Sequence, residues 1–390
     1  MKVCFDTFGC RLNRAEALAQ EAGLAARGWT TTKTHSEADL IIIRGCSVTA
    51  RAQRDCEKLV EHVRDKYPLK RIIVTGCMKE KRGEQILRDL DLEQVPTSTS
   101  RAYLKVQDGC SCACAFCIVP QFRGKGSSVP FKQVLDKAKR MVDFGYSEIV
   151  LSGCNLTQYS SDSKRLPELV EALARIDRNC RIRLGSIEPG PVADTLVDVM
   201  ADNDNICRSL HLPFQSGSQT IVSAMRRPHS LKDAEEVARK AVRLIPHISI
   251  GCDLMTGFPG ETDLDFMATK MLFKRLPLTR AHIFPYSERP GTTAPSLPNQ
   301  VPPEVRRERA HELARIADEE RTRYAARFVG RKVEIIVEDE DAVAGWTSEY
   351  LWCRARHELA KRFRQKRRAS VVMKVVRSDG HMLVAEPLGC

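Results

Sequence analysis

Short apolar runs alternate with helically spaced apolar residues along the first 97 positions of the chain. Strands are predicted at Lys2–Asp6, Leu40–Arg44 and Arg71–Thr75, and helices are predicted near Arg14–Arg27 and Thr49–Lys66. Buried strands that alternate with amphipathic helices are typical of a parallel sheet with helices on its faces. The pattern therefore predicts an α/β fold that begins with a doubly wound domain over residues 1–97.

A second series of the same kind follows the polar stretch Pro96–Ser100. Its apolar runs predict strands at Ala102–Val106, Glu148–Ser152, Arg181–Gly185, Ser209–Leu212, Ser249–Leu254 and Ala281–Phe284, with amphipathic helices between most of them. Parallel strands in this number fit a partial (β/α)6 barrel, by analogy with the complete barrel whose loops build a site at one mouth. Together with the charged helix Glu304–Arg327, this domain is predicted to occupy residues 98–327.

The last part of the chain, residues 328–390, is rich in β-branched residues and predicts a small all-β barrel. Before it, the Pro-rich segment Pro285–Pro303 resembles a linker, since X-Pro steps favour extended backbone. Three domains agree with a length of 390 residues, which one hydrophobic core rarely organises.

Composition narrows the class of protein. Hydrophobic residues make up 43% and charged residues 29%, which excludes a disordered chain. No apolar run is long enough to span a bilayer, and Met1–Cys10 lacks the apolar stretch of a signal peptide, so we expect a cytoplasmic protein without a membrane partner. The net charge of +12 favours a polyanionic partner, although a merely basic enzyme would have it too.

Fifteen cysteines favour metal or cluster ligation over disulfides, because the number is odd and the cytosol keeps thiols reduced. Cys10, Cys46 and Cys77 each follow the carboxyl end of a predicted strand. Ligands of open parallel sheets lie at that edge, so these three thiols are expected to converge. The alternative is that they are buried apolar thiols, a common fate of cysteine.

Cys110, Cys114 and Cys117 form a C-x3-C-x2-C loop. Three thiolates of one tight loop can ligate three irons of a [4Fe-4S] cluster and leave the fourth iron open. The open iron can bind S-adenosylmethionine, whose one-electron cleavage yields a 5′-deoxyadenosyl radical, so these residues are the predicted catalytic centre. The competing interpretations are a zinc site, which prefers four protein ligands, or chance clustering. Cys112 is predicted to be a small loop residue.

Several further segments resemble, in order, motifs of the methylthiotransferase family of radical S-adenosylmethionine enzymes. These motifs begin with Gly9–Asn13, Gly45–Thr49, Thr75–Cys77 and Gln107–Cys110, and they continue with Arg123–Lys125, Ser186–Pro189, Leu210–Gly217 and Gly257–Thr262. The resemblance implies that Cys10, Cys46 and Cys77 bind a second [4Fe-4S] cluster that holds or supplies the inserted sulfur. It also implies two molecules of S-adenosylmethionine and an electron donor such as flavodoxin or ferredoxin, and it leaves the sulfur donor unknown.

Cofactor contacts are predicted at the barrel mouth, although strand ends also collect turn and capping residues. The candidates are Phe116, Ser152, Gly153, Ser186, Glu188 and Gln215.

Two segments, Thr7–Asn13 and Phe284–Thr292, look most like the branch of the family that acts on threonylcarbamoyladenosine. That resemblance implies methylthiolation at carbon 2 of this nucleoside in the tRNA anticodon stem-loop. Other branches act on isopentenyladenosine or on a ribosomal protein.

The carboxyl-terminal segment Gly345–Leu351 is similar to the core of a TRAM domain, a small barrel that binds tRNA. A basic strip follows, and its cations could neutralise phosphates, or they could protect a solvated edge strand. The predicted RNA-binding residues are Arg354, Arg356, Arg362, Arg364, Lys366, Arg367 and Arg368.

Two departures from the family pattern weaken parts of this interpretation. Only 33 residue steps separate Cys77 from Cys110, where the family has several dozen more, so the first domain is predicted to be shortened. Arg44 replaces a polar uncharged residue, and it would either tune the neighbouring cluster or face solvent. The alternatives are a radical enzyme with one cluster and an RNA-binding module on a decayed scaffold.

Overall fold

The structure is a computed structural model that describes residues 1–78, 99–360 and 366–388. The strands are β1 (Lys2–Thr7), β2 (Thr30–Thr31), β3 (Leu40–Gly45), β4 (Arg71–Gly76), β5 (Ala102–Lys105), β6 (Gln107–Asp108), β7 (Ser127–Ser128), β8 (Glu148–Ser152), β9 (Ser160–Ser161), β10 (Lys164–Arg165), β11 (Arg181–Arg183), β12 (Ser209–Gln215), β13 (Ser249–Thr256), β14 (Leu278–Pro285), β15 (Lys332–Asp339), β16 (Ala344–Thr347), β17 (Trp352–Ala355), β18 (Ser370–Asp379) and β19 (Met382–Pro387).

The α-helices span Arg11–Ala25, Ala50–Lys66, Val119–Arg123, Phe131–Asp143, Leu166–Ala174, Pro191–Asp202, Gln219–Ala224, Leu231–Leu244, Asp263–Arg275, Pro303–Ala326 and His357–Ala360. Single 3-10 turns occupy His35–Glu37, Leu156–Gln158 and Ala294–Ser296.

The amino-terminal domain is a parallel sheet of order β2-β1-β3-β4. Alternate residues of β3 pack on opposite faces, because successive strand side chains point to opposite sides. Ile41 and Ile43 contact the helix Ala50–Lys66 through one core, while Leu40 and Ile42 belong to another core on the side of the helix Arg11–Ala25. The predicted doubly wound sheet is confirmed. The exposed two-residue strand β2 carries no apolar pattern and was not predicted.

The central domain consists of two parallel sheets, β5-β8-β11 and β12-β13-β14. Parallel bridges from Ile182 to Ile206 and from Ser186 to His211 join them along their shared edge. One hydrophobic core runs continuously beneath both sheets. The predicted partial barrel is therefore confirmed, and the carboxyl ends of its strands form one mouth.

The carboxyl-terminal strands form a closed barrel of order β15-β16-β17-β19-β18 with a core of its own. The helix Pro303–Ala326 connects the two barrels, since Leu313 and Ala317 belong to the central core and Tyr324 belongs to the small one. This arrangement confirms the predicted all-β barrel. The predicted boundary at residues 97 and 98 lies outside the described residues.

A buried ion-pair network docks the small barrel on the central one. Glu148 of β8 accepts hydrogen bonds from Arg181 Nη2 at 2.6 Å and from Arg183 Nε at 2.6 Å. The same guanidinium groups donate onward to the carbonyl oxygens of Trp346 at 2.9 Å and Thr347 at 2.8 Å. Burial opposes ionisation of Glu148, but the arginines outweigh it and lower its pKa to about 2.

Candidate active site

The three amino-terminal cysteines converge at the carboxyl edge of the first sheet. Cys10 caps the helix Arg11–Ala25, Cys46 follows β3 and Cys77 follows β4. The amide of Cys77 donates to Gly45 O at 3.0 Å, and a Cβ on Gly9 would lie 2.8 Å from Cys46 Sγ. Burial raises the pKa of Cys46, and the charges of Cys77 and Cys10 add to that effect, because both lie within electrostatic range.

Arg123 joins these cysteines to the central barrel. Its Nε donates to Cys77 Sγ at 3.4 Å, and its Nη1 donates to Glu16 at 3.0 Å and to Asp108 at 3.1 Å. Its Nη2 donates to Asn13 Oδ1 at 2.7 Å, and Asn13 in turn donates to Gly45 O at 3.0 Å. One guanidinium therefore fixes the position of the strand-end cysteines relative to the second domain.

Arg44 belongs to the same network. It is buried and donates to Gln20 at 2.8 Å and to Glu16. Burial opposes ionisation of Glu16, yet Arg123, Lys105 and Arg44 hold the pKa of this carboxyl well below its usual range. The expectation that Arg44 might face solvent is wrong, because a carboxylate from the neighbouring helix meets it inside the domain.

The loop of Cys110, Cys114 and Cys117 is held by backbone hydrogen bonds. Cys110 N donates to Gly124 O at 3.1 Å and Ala115 N donates to Met225 O at 2.9 Å. Gly109 has φ +66°, and a Cβ there would lie 2.2 Å from Lys125 O. Only glycine allows this approach, which sets the entry of the loop.

Nitrogen donors surround the sulfur atoms of this loop. Arg227 Nη1 donates to Cys114 Sγ at 3.2 Å, and Asn155 Nδ2 donates to Cys110 Sγ at 3.8 Å. Hydrogen bonds and positive charge at thiolate sulfur stabilise the negative charge of a metal-bound thiolate. Cys112 Sγ accepts from Gln158 at 3.2 Å, so it is more than a spacer in the loop.

The pKa values of the loop cysteines differ with their surroundings. A hydrogen bond from Cys112 outweighs burial and lowers the pKa of Cys110 to about 6. Burial raises the pKa of Cys117 to about 11. It also raises the pKa of Cys114, against the opposing charge of Arg227. Cys110 is therefore the thiol of this loop that ionises most readily.

Neither cysteine triplet brings its three sulfur atoms as close together as one zinc ion requires. All six are free thiols. A zinc ion holds sulfur at about 2.3 Å, so its sulfur ligands lie within about 4.6 Å of one another. In the described ranges, three ligand atoms come within 4.8 Å of each other in two other sets, Cys4 with Asp6 and His35, and His211 with Asp253 and His282. The cysteine triplets are not among these sets, so each is spaced more widely than the ligands of one zinc ion.

A cavity of about 500 Å³ lies between the first domain and the barrel mouth. Cys10 and Cys46 line one side, and the predicted cofactor residues Ser152, Gly153 and Ser186 line the other. Ser152 Oγ is buried and has no hydrogen-bond partner among the described residues. An unsatisfied hydroxyl at a cavity wall is suited to a polar ligand.

The other predicted cofactor residues, Phe116, Glu188 and Gln215, do not belong to the described lining of this cavity. Phe116 packs edge-on against Phe258, with 6.4 Å between ring centroids. Glu188 accepts from Arg227 Nη2 at 2.5 Å and contacts His229 Nδ1 at 2.6 Å, so it positions the arginine that contacts Cys114. Gln215 ends β12 in the left-handed region, with φ +65°.

The basic strip is less open than its sequence indicates. Arg354 pairs with Asp379 at 3.8 Å, Arg356 with Glu386 at 2.8 Å and Arg367 with Glu340 at 3.5 Å. Arg368 donates to Thr99 O and Phe144 O and lies 3.8 Å from the Tyr146 ring centroid, so it docks the two barrels. Lys366 is exposed. Arg362 and Arg364 lie outside the described residues.

Several site residues were not predicted. Arg11, His211, Arg280 and His282 line the cavity, and Arg227 contacts the cysteine loop. The sequence could have indicated Arg280 and His282 as site residues. They are polar, lie two positions apart in the apolar strand β14 and therefore point to the same face of the sheet. No sequence signal marked Arg227, whose role depends on a distant loop.

The partial barrel and the cysteine loop define the class of protein. Residues 104–273 match the family model described as "Radical SAM superfamily", and residues 2–95 match "Uncharacterized protein family UPF0004". The fold is similar to that of the radical S-adenosylmethionine methyltransferase TsrM from Kitasatospora setae, with a TM-score of 0.54, 11% identity and 72% of each chain covered.

Curated relatives narrow the class further. The chain is 30% identical to the threonylcarbamoyladenosine tRNA methylthiotransferase MtaB of Bacillus subtilis, over 90% of this chain and 89% of the relative. It is 31% identical to the tRNA-2-methylthio-N(6)-dimethylallyladenosine synthase of Cereibacter sphaeroides, over 88% of this chain and 89% of the relative. The chain therefore belongs to the methylthiotransferase family of radical S-adenosylmethionine enzymes, which use an iron–sulfur cluster and S-adenosylmethionine.

No helix in the described ranges combines the length and apolar character needed to cross a bilayer.

Proposed function

We propose that the chain is a tRNA methylthiotransferase that modifies carbon 2 of threonylcarbamoyladenosine next to the anticodon, with two [4Fe-4S] clusters. The observation that carries the proposal is the cavity that places Cys10 and Cys46 opposite the barrel mouth. A substrate base in this cavity would lie between Cys10 and Cys46 on one side and the proposed S-adenosylmethionine contacts Ser152 and Ser186 on the other. Relatives named for this activity and the motifs around Cys10 and Phe284 support the choice of nucleoside.

Each proposed cluster has its own set of three cysteine ligands. Cys110, Cys114 and Cys117 would hold the first, and Cys10, Cys46 and Cys77 the second. When bound, the first cluster supplies the electron for reductive cleavage of S-adenosylmethionine. The protein itself holds the loop rigid through Gly109, places Arg227 on Cys114 and lines the mouth with the Ser152 and Ser186 hydroxyls.

The small barrel is proposed to contact tRNA as a TRAM domain, with the domains divided at residues 1–97, 98–327 and 328–390. Arg354, Arg356, Lys366 and Arg367 keep exposed surface that can approach phosphate. Their ion pairs with carboxylates would have to loosen or be shared, so the salt dependence of binding is expected to be moderate.

The nucleoside is tested by mass spectrometry of tRNA from cells with and without this protein. We expect the methylthiolated form of threonylcarbamoyladenosine to disappear when the protein is absent. Loss of methylthiolated isopentenyladenosine instead would contradict the proposal and favour the other named tRNA activity.

The clusters are tested on anaerobically reconstituted protein. We expect about eight irons per chain, and Cys114→Ala should lower this to about four and abolish formation of 5′-deoxyadenosine. Cys353→Ala, which removes a thiol from the separate core of the small barrel, is the control and should retain both. A content of about four irons per chain in the unmutated protein would contradict the proposal of a second cluster.

A further inference from the structure

Arg280 occupies an unusual place at the cavity. It lies in β14 beside Gly251 of β13 and lines the cavity with Arg11. A Cβ on Gly251 would lie 3.0 Å from Arg280 Nη2 and 2.7 Å from His211 Nδ1. Because Gly251 has no side chain, the guanidinium group of Arg280 has room to lie over β13.

No carboxylate in the described part of the chain forms an ion pair with Arg280 or Arg11. Arg280 Nη2 contacts His211 Nδ1 at 3.4 Å, and its Nε is buried without a partner among those residues. Arg11 Nη1 donates to the carbonyl of Leu184 at 3.2 Å. Both guanidinium groups face the ring of Tyr350, with distances of 4.2 Å and 5.0 Å to its centroid.

The nearby acidic groups are engaged elsewhere. Asp253 contacts His211 Nε2 at 3.0 Å and His282 Nδ1 at 3.2 Å, and Glu148 pairs with Arg183. No Asp or Glu belongs to the described lining of the cavity. Burial lowers the pKa of Arg280 to about 10, against the opposing effect of Tyr350, and the charges of Arg11, Arg183 and Arg321 add to the lowering.

A cation at a cavity wall without a carboxylate partner is costly where it is desolvated, and a neighbouring aromatic ring offsets only part of that cost. An anionic ligand group that enters the cavity would remove the cost and form charge-assisted hydrogen bonds with a planar guanidinium. The cavity wall also holds Cys10 and Cys46, so the anion belongs to the molecule that receives sulfur.

We propose that Arg280, assisted by Arg11, binds the carboxylate of the threonylcarbamoyl group and thereby selects this nucleoside over one with an apolar substituent. The inference rests on the proposed function. An isopentenyl group would leave both guanidinium groups without an anionic partner, which penalises the wrong substrate. The carboxylate of S-adenosylmethionine is a poorer occupant, because it would be needed at the open iron of the first cluster, whose ligands Cys110, Cys114 and Cys117 do not belong to the described lining of this cavity.

The test measures binding of three anticodon stem-loop RNAs to reconstituted protein. One carries threonylcarbamoyladenosine, the second carries its carboxyl methyl ester, and the third carries isopentenyladenosine. We expect the unmutated protein to prefer the free carboxylate over the ester by about tenfold or more. Arg280→Gln should bring that ratio close to one, Arg280→Lys should retain part of it, and Arg11→Gln should lower it.

Arg243→Gln is the matched control, because this arginine is exposed on the outer helix Leu231–Leu244. It should leave the ratio unchanged. Since Arg280→Gln removes an uncompensated buried charge, its thermal unfolding midpoint should equal or exceed that of the unmutated protein. If this variant does not fold, Arg280→Lys and Arg11→Gln decide the question by the same ratio.

The outcomes separate the two proposals. If Arg280→Gln weakened the binding of all three RNAs equally, the arginine would contact a phosphate common to them, and the inference would be overturned. An undiminished carboxylate preference in Arg280→Gln would also overturn it, while the proposed function would stand. Tighter binding of the isopentenyl RNA than of both other RNAs by the unmutated protein would refute the proposed function and the inference with it.

Discussion

Tyr350 of the small barrel shows how charges from the two other domains act on one side chain. It lies in the turn after β16 with φ +63°, and its ring faces Arg11 of the first domain and Arg183 and Arg280 of the central barrel. Burial alone would raise the pKa of Tyr350, but the arginines, joined by Arg101, outweigh it and lower the pKa to about 8.

A titration tests this environment. In the ultraviolet difference between the unmutated protein and Tyr350→Phe, we expect a tyrosinate step near pH 8, about two units below an ordinary tyrosine. Because the folded pKa is depressed, ionised Tyr350 contributes stability above about pH 10. This contribution is lost as the pH falls through about 8. A difference spectrum without a step below pH 9 would show that the guanidinium groups do not act on this ring.

At the scale of elements, the cysteine loop depends on a single backbone conformation. Gly109 joins β6 to the loop with positive φ and lies against the backbone of Gly124 and Lys125. The cysteine loop could be predicted from the sequence because Cys110, Cys114 and Cys117 lie within eight residues. The close approach that shapes the loop was not readable, since it involves a segment that follows the motif.

Gly109→Ala is expected to prevent assembly of the first cluster and to cost several kcal/mol, because the new Cβ collides with backbone at 2.2 Å. Iron content and 5′-deoxyadenosine formation are the measurements. Gly145→Ala is the matched control, since Gly145 also has positive φ, +77°, but has open space around it. It should cost about 1 kcal/mol and retain activity. Equal behaviour of the two variants would refute the steric argument.

At the scale of the whole molecule, the small barrel is fixed by arginines that share one carboxylate. Glu148 is fully buried and pairs with Arg181 and Arg183, whose remaining N–H groups reach carbonyls of the small barrel. Removing the carboxylate would leave two buried cations without a partner.

Glu148→Gln should therefore lower the free energy of unfolding by about 3–5 kcal/mol, measured by urea denaturation. It should also make the junction between the barrels more accessible to protease. Glu171→Gln, at a surface pair with Arg175, should change stability by less than about 1 kcal/mol. Similar losses in both variants would mean that the buried network does not stabilise the domain junction.

Sequence by itself determined the order of strands and helices, the partial barrel, the closed small barrel and the positions of the cysteines at strand ends. The elements could be predicted because the spacing of apolar residues depends on which face of each element is buried. The cysteine loop could be predicted because its ligands are close together in the sequence. Only the tertiary structure decided which charges meet. Glu16 pairs with Arg44 and Arg123, and Asp379 and Glu386 pair with residues of the basic strip. Arg280 meets no carboxylate within the part of the chain that the structure describes. Charge compensation depends on residues far apart in the chain, and no periodic pattern records it.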